Sequence, residues 1–267
     1  MTLTAPREFF HERHRDRIRV RIDPGTDDRV PLLICNGFGI ALEMLDSIVA
    51  GMPDSTVIRF DAPGIGGSRN RLLPYRFAHL AHMLDDLLED LGVPQVDIYG
   101  ISWGGMLAQE FALRYPRRCR KVILASTLSG MVSLPGNVLW HVLLSPGKWF
   151  LGKDYSRMAS LRFGGRVTRR DWRDLEEHFV VDFSAVPGYF GQMAALIGWT
   201  SIHRLHRLVQ PVLLLYGTDD STIPVLNAHL LKAMIPDAQL VTLDCGHLFP
   251  WTRSARVHSE ISRFRSE

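Results

Sequence analysis

One hexapeptide limits the folds open to this chain more than any other segment: Gly100-Ile101-Ser102-Trp103-Gly104-Gly105. It stands between an apolar run, Val96-Asp97-Ile98-Tyr99, and a helix-like segment, Met106 to Ala112. A serine with glycines two residues away on either side, between strand and helix, marks a very tight turn. The serine must take a strained backbone conformation, and a side chain at 100 or 104 would collide with neighbouring chain. The hydroxyl is thereby thrust out at the carboxyl edge of a sheet. The first amides of the following helix lie beside it and can stabilise an oxyanion. Gly-x-Ser-x-Gly also arises by chance, so its surroundings must carry the reading.

Those surroundings repeat a rhythm. Ile18-Arg19-Val20-Arg21-Ile22 alternates apolar and charged residues, as a half-buried edge strand would. Val30-Pro31-Leu32-Leu33-Ile34-Cys35 and Val57-Ile58-Arg59-Phe60 are continuous runs suited to strands buried on both faces of a parallel sheet. A helix is expected from about Phe77 to Leu91, with Leu80, Leu84, Leu87, Leu88 and Leu91 on one face. Strand 96–99, the serine turn, a helix to Tyr115 and strand Lys121 to Ala125 follow. Strands alternating with helices at these lengths predict an α/β fold with a mostly parallel central sheet flanked by helices. From about residue 130 to 200 the alternation stops, and it resumes at 211–217 and 238–243. Residues 1–129 and 201–267 are therefore expected to form the core domain, and 130–200 a mostly helical cap inserted into it, too long for an ordinary loop.

Composition narrows the function classes. Hydrophobic content of 46% and charged content of 22% suit a globular core. The formal net charge of +3 comes from basic residues scattered among acids, so no nucleic-acid partner is expected. Three cysteines, Cys35, Cys119 and Cys245, are too few for a disulfide framework; the first two read as core packing. The N-terminal residues lack the apolar stretch of a signal peptide, and no run approaches the ~18 apolar residues of a membrane span. A cytoplasmic protein is expected.

A hydroxyl is a poor nucleophile near neutral pH, so Ser102 needs a base, and the base an orienting acid. In the α/β-hydrolase fold these follow in the order serine, acid, histidine. Of eleven histidines, His247 in Asp244-Cys245-Gly246-His247 has the expected address, after the last strand and before the terminal helix. The loop after strand 211–216 offers two adjacent carboxylates, Asp219 and Asp220. The third position after the strand-closing glycine selects Asp220, leaving Asp219 to cap the turn. Asp244, three residues from His247, ranks third. The oxyanion hole requires two donors: the Trp103 amide and, from Asn36-Gly37-Phe38-Gly39, the Phe38 amide. The Phe38 and Trp103 side chains are weighed equally as acyl-pocket lining and core filling. Gly64 to Ser68 reads as a structural turn behind the sheet, since it lacks the ending of a phosphate loop. His79, His82 and Asp86, and His203 with His206, read as helix faces rather than metal ligands. No metal and no organic cofactor is expected.

From about residue 31 to 250 the chain resembles the intracellular medium-chain-length poly(3-hydroxyalkanoate) depolymerases of the α/β-hydrolase superfamily. The resembling stretches are Pro31 to Gly37, Pro74-Tyr75-Arg76-Phe77, Gly100 to Gly105, Tyr115 to Lys121, Gly198-Trp199-Thr200-Ser201-Ile202-His203, and Asp244 to Phe249. The Asn-Gly loop and the Gly-Trp-Thr-Ser-Ile-His phrase are the most specific. The resemblance implies a serine esterase hydrolysing stored bacterial polyester, associated with cytoplasmic granules, with Ser102, Asp220 and His247 as its triad. Residues Ser145 to Gly188 match the family poorly. The apolar Val138 to Leu144 and Trp149 to Leu151 are expected to pack over the catalytic domain, with contact to a granule surface as the alternative. Small-molecule hydrolases with the same triad (carboxylesterase, carbon–carbon bond hydrolase, perhydrolase), CoA-linked acyltransferases and a non-catalytic binding module compete with this reading.

Overall fold

A computed structural model describes residues 5–27, 30–71, 73–130, 133 and 186–267. Its centre is an eight-stranded sheet in the order β1-β2-β4-β3-β5-β6-β7-β8. The strands are β1 Arg7–Arg13, β2 Asp16–Asp23, β3 Leu32–Cys35, β4 Val57–Phe60, β5 Val96–Ile101, β6 Cys119–Ala125, β7 Val212–Gly217 and β8 Ala238–Leu243. β2 pairs antiparallel with β1 and β4, and every pair from β4 to β8 is parallel.

The continuous apolar runs occupy the middle of this sheet because both faces are covered. Alternate residues of each strand enter different cores. Leu33, Cys35, Ile98, Leu124 and Leu214 join α2 (Phe77–Asp90) and α3 (Trp103–Arg114) on one face. Leu32, Ile34, Tyr99, Ile123 and Leu213 join α1 (Asp46–Ala50) and the C-terminal helix Ser254–Ser266 on the other. In α2, Leu80, Leu84, Leu87 and Leu88 are buried as the spacing predicts, and Leu91 sits half-buried just beyond its end.

Two expectations are corrected. The strand at 18–22 is not an edge: β1 covers it, with Phe9 opposite Val20 and His11 opposite Ile18. The hairpin turn is made by His14 and Arg15, both with positive φ (52° and 80°), without the Asn-Gly or Asp-Gly that would announce it. The turn from Gly64 to Ser68 is not behind the sheet either. It leaves the carboxyl end of β4, which runs parallel to β3 and β5, on the edge that carries Ser102. Buried Asp61 organises it by accepting the amides of Gly67 (2.9 Å) and Leu42 (2.7 Å) and an Arg19 Nε–H (2.7 Å).

β3 lies between β4 and β5, with Cys35 opposite Gly100. The chain winds outward in both directions from this strand, so the loops leaving β3 and β5 flank a crevice at the carboxyl edge. Most of the expected 130–200 cap falls outside the described residues. Gly130 and Thr200 form an antiparallel bridge, and α4 (Val186–Leu196) docks through Gly188 on Gly64.

Candidate active site

Ser102 joins β5 to α3 with φ 53° and ψ −114°, a conformation few non-glycine residues adopt. Its surroundings hold it there. The Ser102 amide donates to Ala125 O at 2.8 Å, and Thr127 Oγ1 donates to Ser102 O at 2.7 Å. The glycines are required by close approach: a Cβ on Gly100 would lie 2.5 Å from Gly104 O, and one on Gly104 2.0 Å from Cys35 O. The second contact also brings the start of α3 against the loop leaving β3.

Asp220 follows β7 and is buried, while Asp219 and Asp244 are exposed. The two carboxylate oxygens of Asp220 divide their tasks. Oδ1 accepts the Thr222 and Ile223 amides at 2.9 and 2.8 Å, which fixes the carboxylate, and Oδ2 stands 2.8 Å from His247 Nδ1. With the proton on Nδ1, the imidazole donates to Asp220 and leaves Nε2 as its basic nitrogen. The loops carrying the two residues are tied together. Asp219 N donates to Cys245 O at 3.1 Å, Thr218 N to Leu243 O at 2.9 Å, and a Cβ on Gly217 would meet Cys245 O at 2.3 Å. A strained serine at the strand end, with a buried Asp–His pair brought to the same sheet edge, is the arrangement of serine hydrolases.

Residues 30–254 match the family model described as the alpha/beta hydrolase fold. The chain belongs to that family. It is 42% identical over 250 residues to the poly(3-hydroxyalkanoate) depolymerase of Ectopseudomonas oleovorans, covering 92% of this chain and 88% of the relative, and so belongs to the same family as that protein. The 3-oxoadipate enol-lactonase 2 of Acinetobacter baylyi is 27% identical, with 84% of each chain covered. Among solved structures, a hydrolase from Pseudomonas aeruginosa superposes with a TM-score of 0.78 at 24% identity, covering 96% of this chain and 97% of the other. The enol-lactonase from Burkholderia xenovorans gives 0.78 at 20% identity, covering 97% and 100%. Both structures share the fold.

The remaining sequence-derived residues lie as follows around this candidate site. Asn36 braces its own loop. Its Oδ1 accepts the Gly37 amide at 2.8 Å, and its Nδ2 donates to Ala41 O at 2.9 Å and Ile40 O at 3.2 Å. The Trp103 ring is core filling, stacked obliquely on Phe77 at 4.8 Å, with Trp199 on the other ring contact of Phe77 at 4.9 Å. Phe38 is half-buried and meets Tyr189 of α4 edge-on at 4.3 Å. Among the described residues, neither the Phe38 nor the Trp103 amide has a protein acceptor.

Gln192 carries no sequence signal that singles it out. It is buried on α4, accepting Gly39 N at 2.6 Å through its side chain and Trp103 Nε1–H at 3.1 Å through its carbonyl. No motif marks it, because its partners are 153 and 89 residues away.

The other candidates stay outside the site. Cys35, Cys119 and Cys245 are buried, and burial pushes the Cys35 thiol well above the usual cysteine range. His79 bonds Asp16 and Arg71. His82 bonds the Tyr115 hydroxyl and stacks on His14, with Asp86 3.8 Å from each. The ligand-capable atoms of His14, His82 and Asp86 lie within 4.8 Å of one another, close enough to hold a metal ion. No described helix is long and apolar enough to cross a membrane.

Proposed function

We propose that the chain is a serine ester hydrolase that degrades poly(3-hydroxyalkanoate), with Ser102 as nucleophile, His247 as general base and acid, and Asp220 as the orienting carboxylate. The Asp220–His247 contact at 2.8 Å, on the sheet edge where Ser102 is held at φ 53°, carries the chemistry. The substrate class rests on the relationship to the Ectopseudomonas oleovorans depolymerase. Ser102 attacks the ester carbonyl while His247 takes its proton. The Phe38 and Trp103 amides hold the resulting oxyanion, and His247 protonates the departing alcohol. Water, activated by the same imidazole, then releases a 3-hydroxyacid or a short oligomer. No metal or organic cofactor takes part.

Within the expected 130–200 cap, the described α4 lies beside this site. The Gly130–Thr200 bridge and the docking of α4 beside the Phe38 loop support that placement. The enzyme acts in the cytoplasm on storage granules.

The test is release of 3-hydroxyacids from amorphous medium-chain granules, alongside short-chain polymer and p-nitrophenyl octanoate. Release from the medium-chain granules that disappears in Ser102→Ala supports the whole reading. Cleavage of the soluble ester alone keeps the triad and moves the enzyme to small-molecule esters or lactones.

A further inference from the structure

α4 belongs to the segment that interrupts the sheet, yet two of its residues grip the loop proposed to supply half of the oxyanion hole. The Gln192 side-chain oxygen accepts the Gly39 amide at 2.6 Å. Tyr189, three residues earlier and so on the same helix face, packs against Phe38 with ring centroids 4.3 Å apart. Gly39 has φ +70°, and a Cβ there would come within 3.3 Å of the Tyr189 ring, so the loop is fitted closely to the helix. Asn36 and its bonds to Gly37, Ile40 and Ala41 hold the loop from the side of the sheet. Phe38 lies between these two anchors. The Gln192 carbonyl meanwhile accepts the Trp103 indole N–H, so one buried residue touches both structures that carry the proposed donors.

We infer that Gln192 is a positioning residue of the oxyanion hole, setting the Phe38 amide against the Trp103 amide from outside the sheet. The inference rests on the serine-hydrolase reading of Ser102. Oxyanion donors work because they are fixed before charge develops, and a slack loop gives up part of that advantage. Losing the Gln192 side chain frees the Gly39 amide and loosens the Phe38 side of the hole. The carbonyl that holds Trp103 is main chain and survives substitution, so the serine turn itself is undisturbed. The oxyanion exists only in the transition state and the intermediates beside it, so the loss belongs to kcat and not to KM.

The test compares Gln192→Met, which keeps the bulk without an acceptor, with Gln192→Glu, which keeps an oxygen for Gly39, on p-nitrophenyl octanoate. Gln192→Met should lower kcat about tenfold or more while KM moves by less than about threefold. The Ki of an alkylboronic acid, which forms a tetrahedral adduct on the serine, should rise by the same factor as kcat/KM falls. Gln192→Glu should retain kcat within about threefold. Full kcat in Gln192→Met, equal losses in both variants, or a fall in kcat without weaker boronate binding would each overturn the inference. Gln192→Ala takes the place of Gln192→Met if the latter does not fold. Fluorophosphonate labelling separates the two levels. Wild-type protein unlabelled at Ser102 overturns the hydrolase reading together with this one, whereas labelled wild type with an unimpaired Gln192→Met overturns this one alone.

Discussion

At Asp220 the two carboxylate oxygens are committed to different partners, and the consequence is a sharp contrast with its neighbour. Asp220→Asn keeps an oxygen for the Thr222 and Ile223 amides, but presents an amide N–H to His247 and favours the wrong tautomer. Its kcat should fall by about 10³–10⁴-fold with little change in folding stability. Asp219→Asn, one residue away and exposed, should leave kcat within about twofold. Steady-state kinetics on a soluble ester decides this, and a similar loss in both variants would remove Asp220 from the triad. Asn36→Ala removes three hydrogen bonds from the 36–41 loop, two of them donated by the side chain to main-chain carbonyls. It should cost roughly 1–3 kcal/mol in urea unfolding, together with a lower kcat.

Between elements, α3 is the hub. It carries the serine turn at one end, and at Gln109 and Glu110 it receives the chain returning at Trp199 to Arg204. Ser201 Oγ donates to Gln109 Oε1 at 2.7 Å, while Trp199 Nε1 and Arg204 Nη2 donate to Glu110 Oε2 at 2.9 and 2.8 Å. The Gly-Trp-Thr-Ser-Ile-His phrase is therefore a clamp on α3, not a lining of the triad. Burial pushes the Glu110 carboxyl upward, but the bonds from Arg204, Trp199 and Arg114 outweigh it and hold the pKa below the ordinary value of 4.5. On acidification the unfolded chain thus takes up the Glu110 proton first. The stabilisation from this clamp is complete above about pH 4.5 and is lost as pH falls through the lower folded value. Glu110→Gln should reduce stability at pH 7 and flatten its decline between about pH 5 and 3, measured by urea unfolding across that range. An unchanged acid limb would refute the linkage. At the end of α3 that carries the serine turn, Gly104→Ala puts a methyl 2.0 Å from Cys35 O, backbone against which nothing can yield, and should prevent accumulation of folded protein.

Across the whole molecule, buried Asp97 on β5 ties the C-terminus to the strand that bears the serine. It accepts Arg265 Nε–H at 2.7 Å and Arg120 at 2.6 and 2.8 Å. Arg265 also donates to Ser55 Oγ and Val30 O, so one guanidinium ties the last helix to β5 and to the loops before β3 and β4. Arg265→Met should destabilise by roughly 3 kcal/mol in urea unfolding, because it strips a buried carboxylate of one partner and leaves two other acceptors unpaired.

By itself the sequence determined the alternation of strands and helices, the serine turn and the last-strand histidine. Each is announced locally: apolar runs mark strands buried on both faces, leucines at helical spacing mark α2, and the glycines at 100 and 104 mark a turn with no room for a Cβ. It could not show the His14-Arg15 hairpin, whose residues do not advertise left-handed backbone, so β2 read as an edge. Nor could it fix the side of the sheet on which the Gly64 turn lies, because that follows from strand direction. Only the tertiary structure decided that Asn36 braces its own loop, that Arg265 reaches Asp97, and that Gln192 joins the Phe38 loop to Trp103. Most of these contacts join residues tens to hundreds of positions apart, and a hydrogen bond across such a separation leaves no period or spacing in either segment.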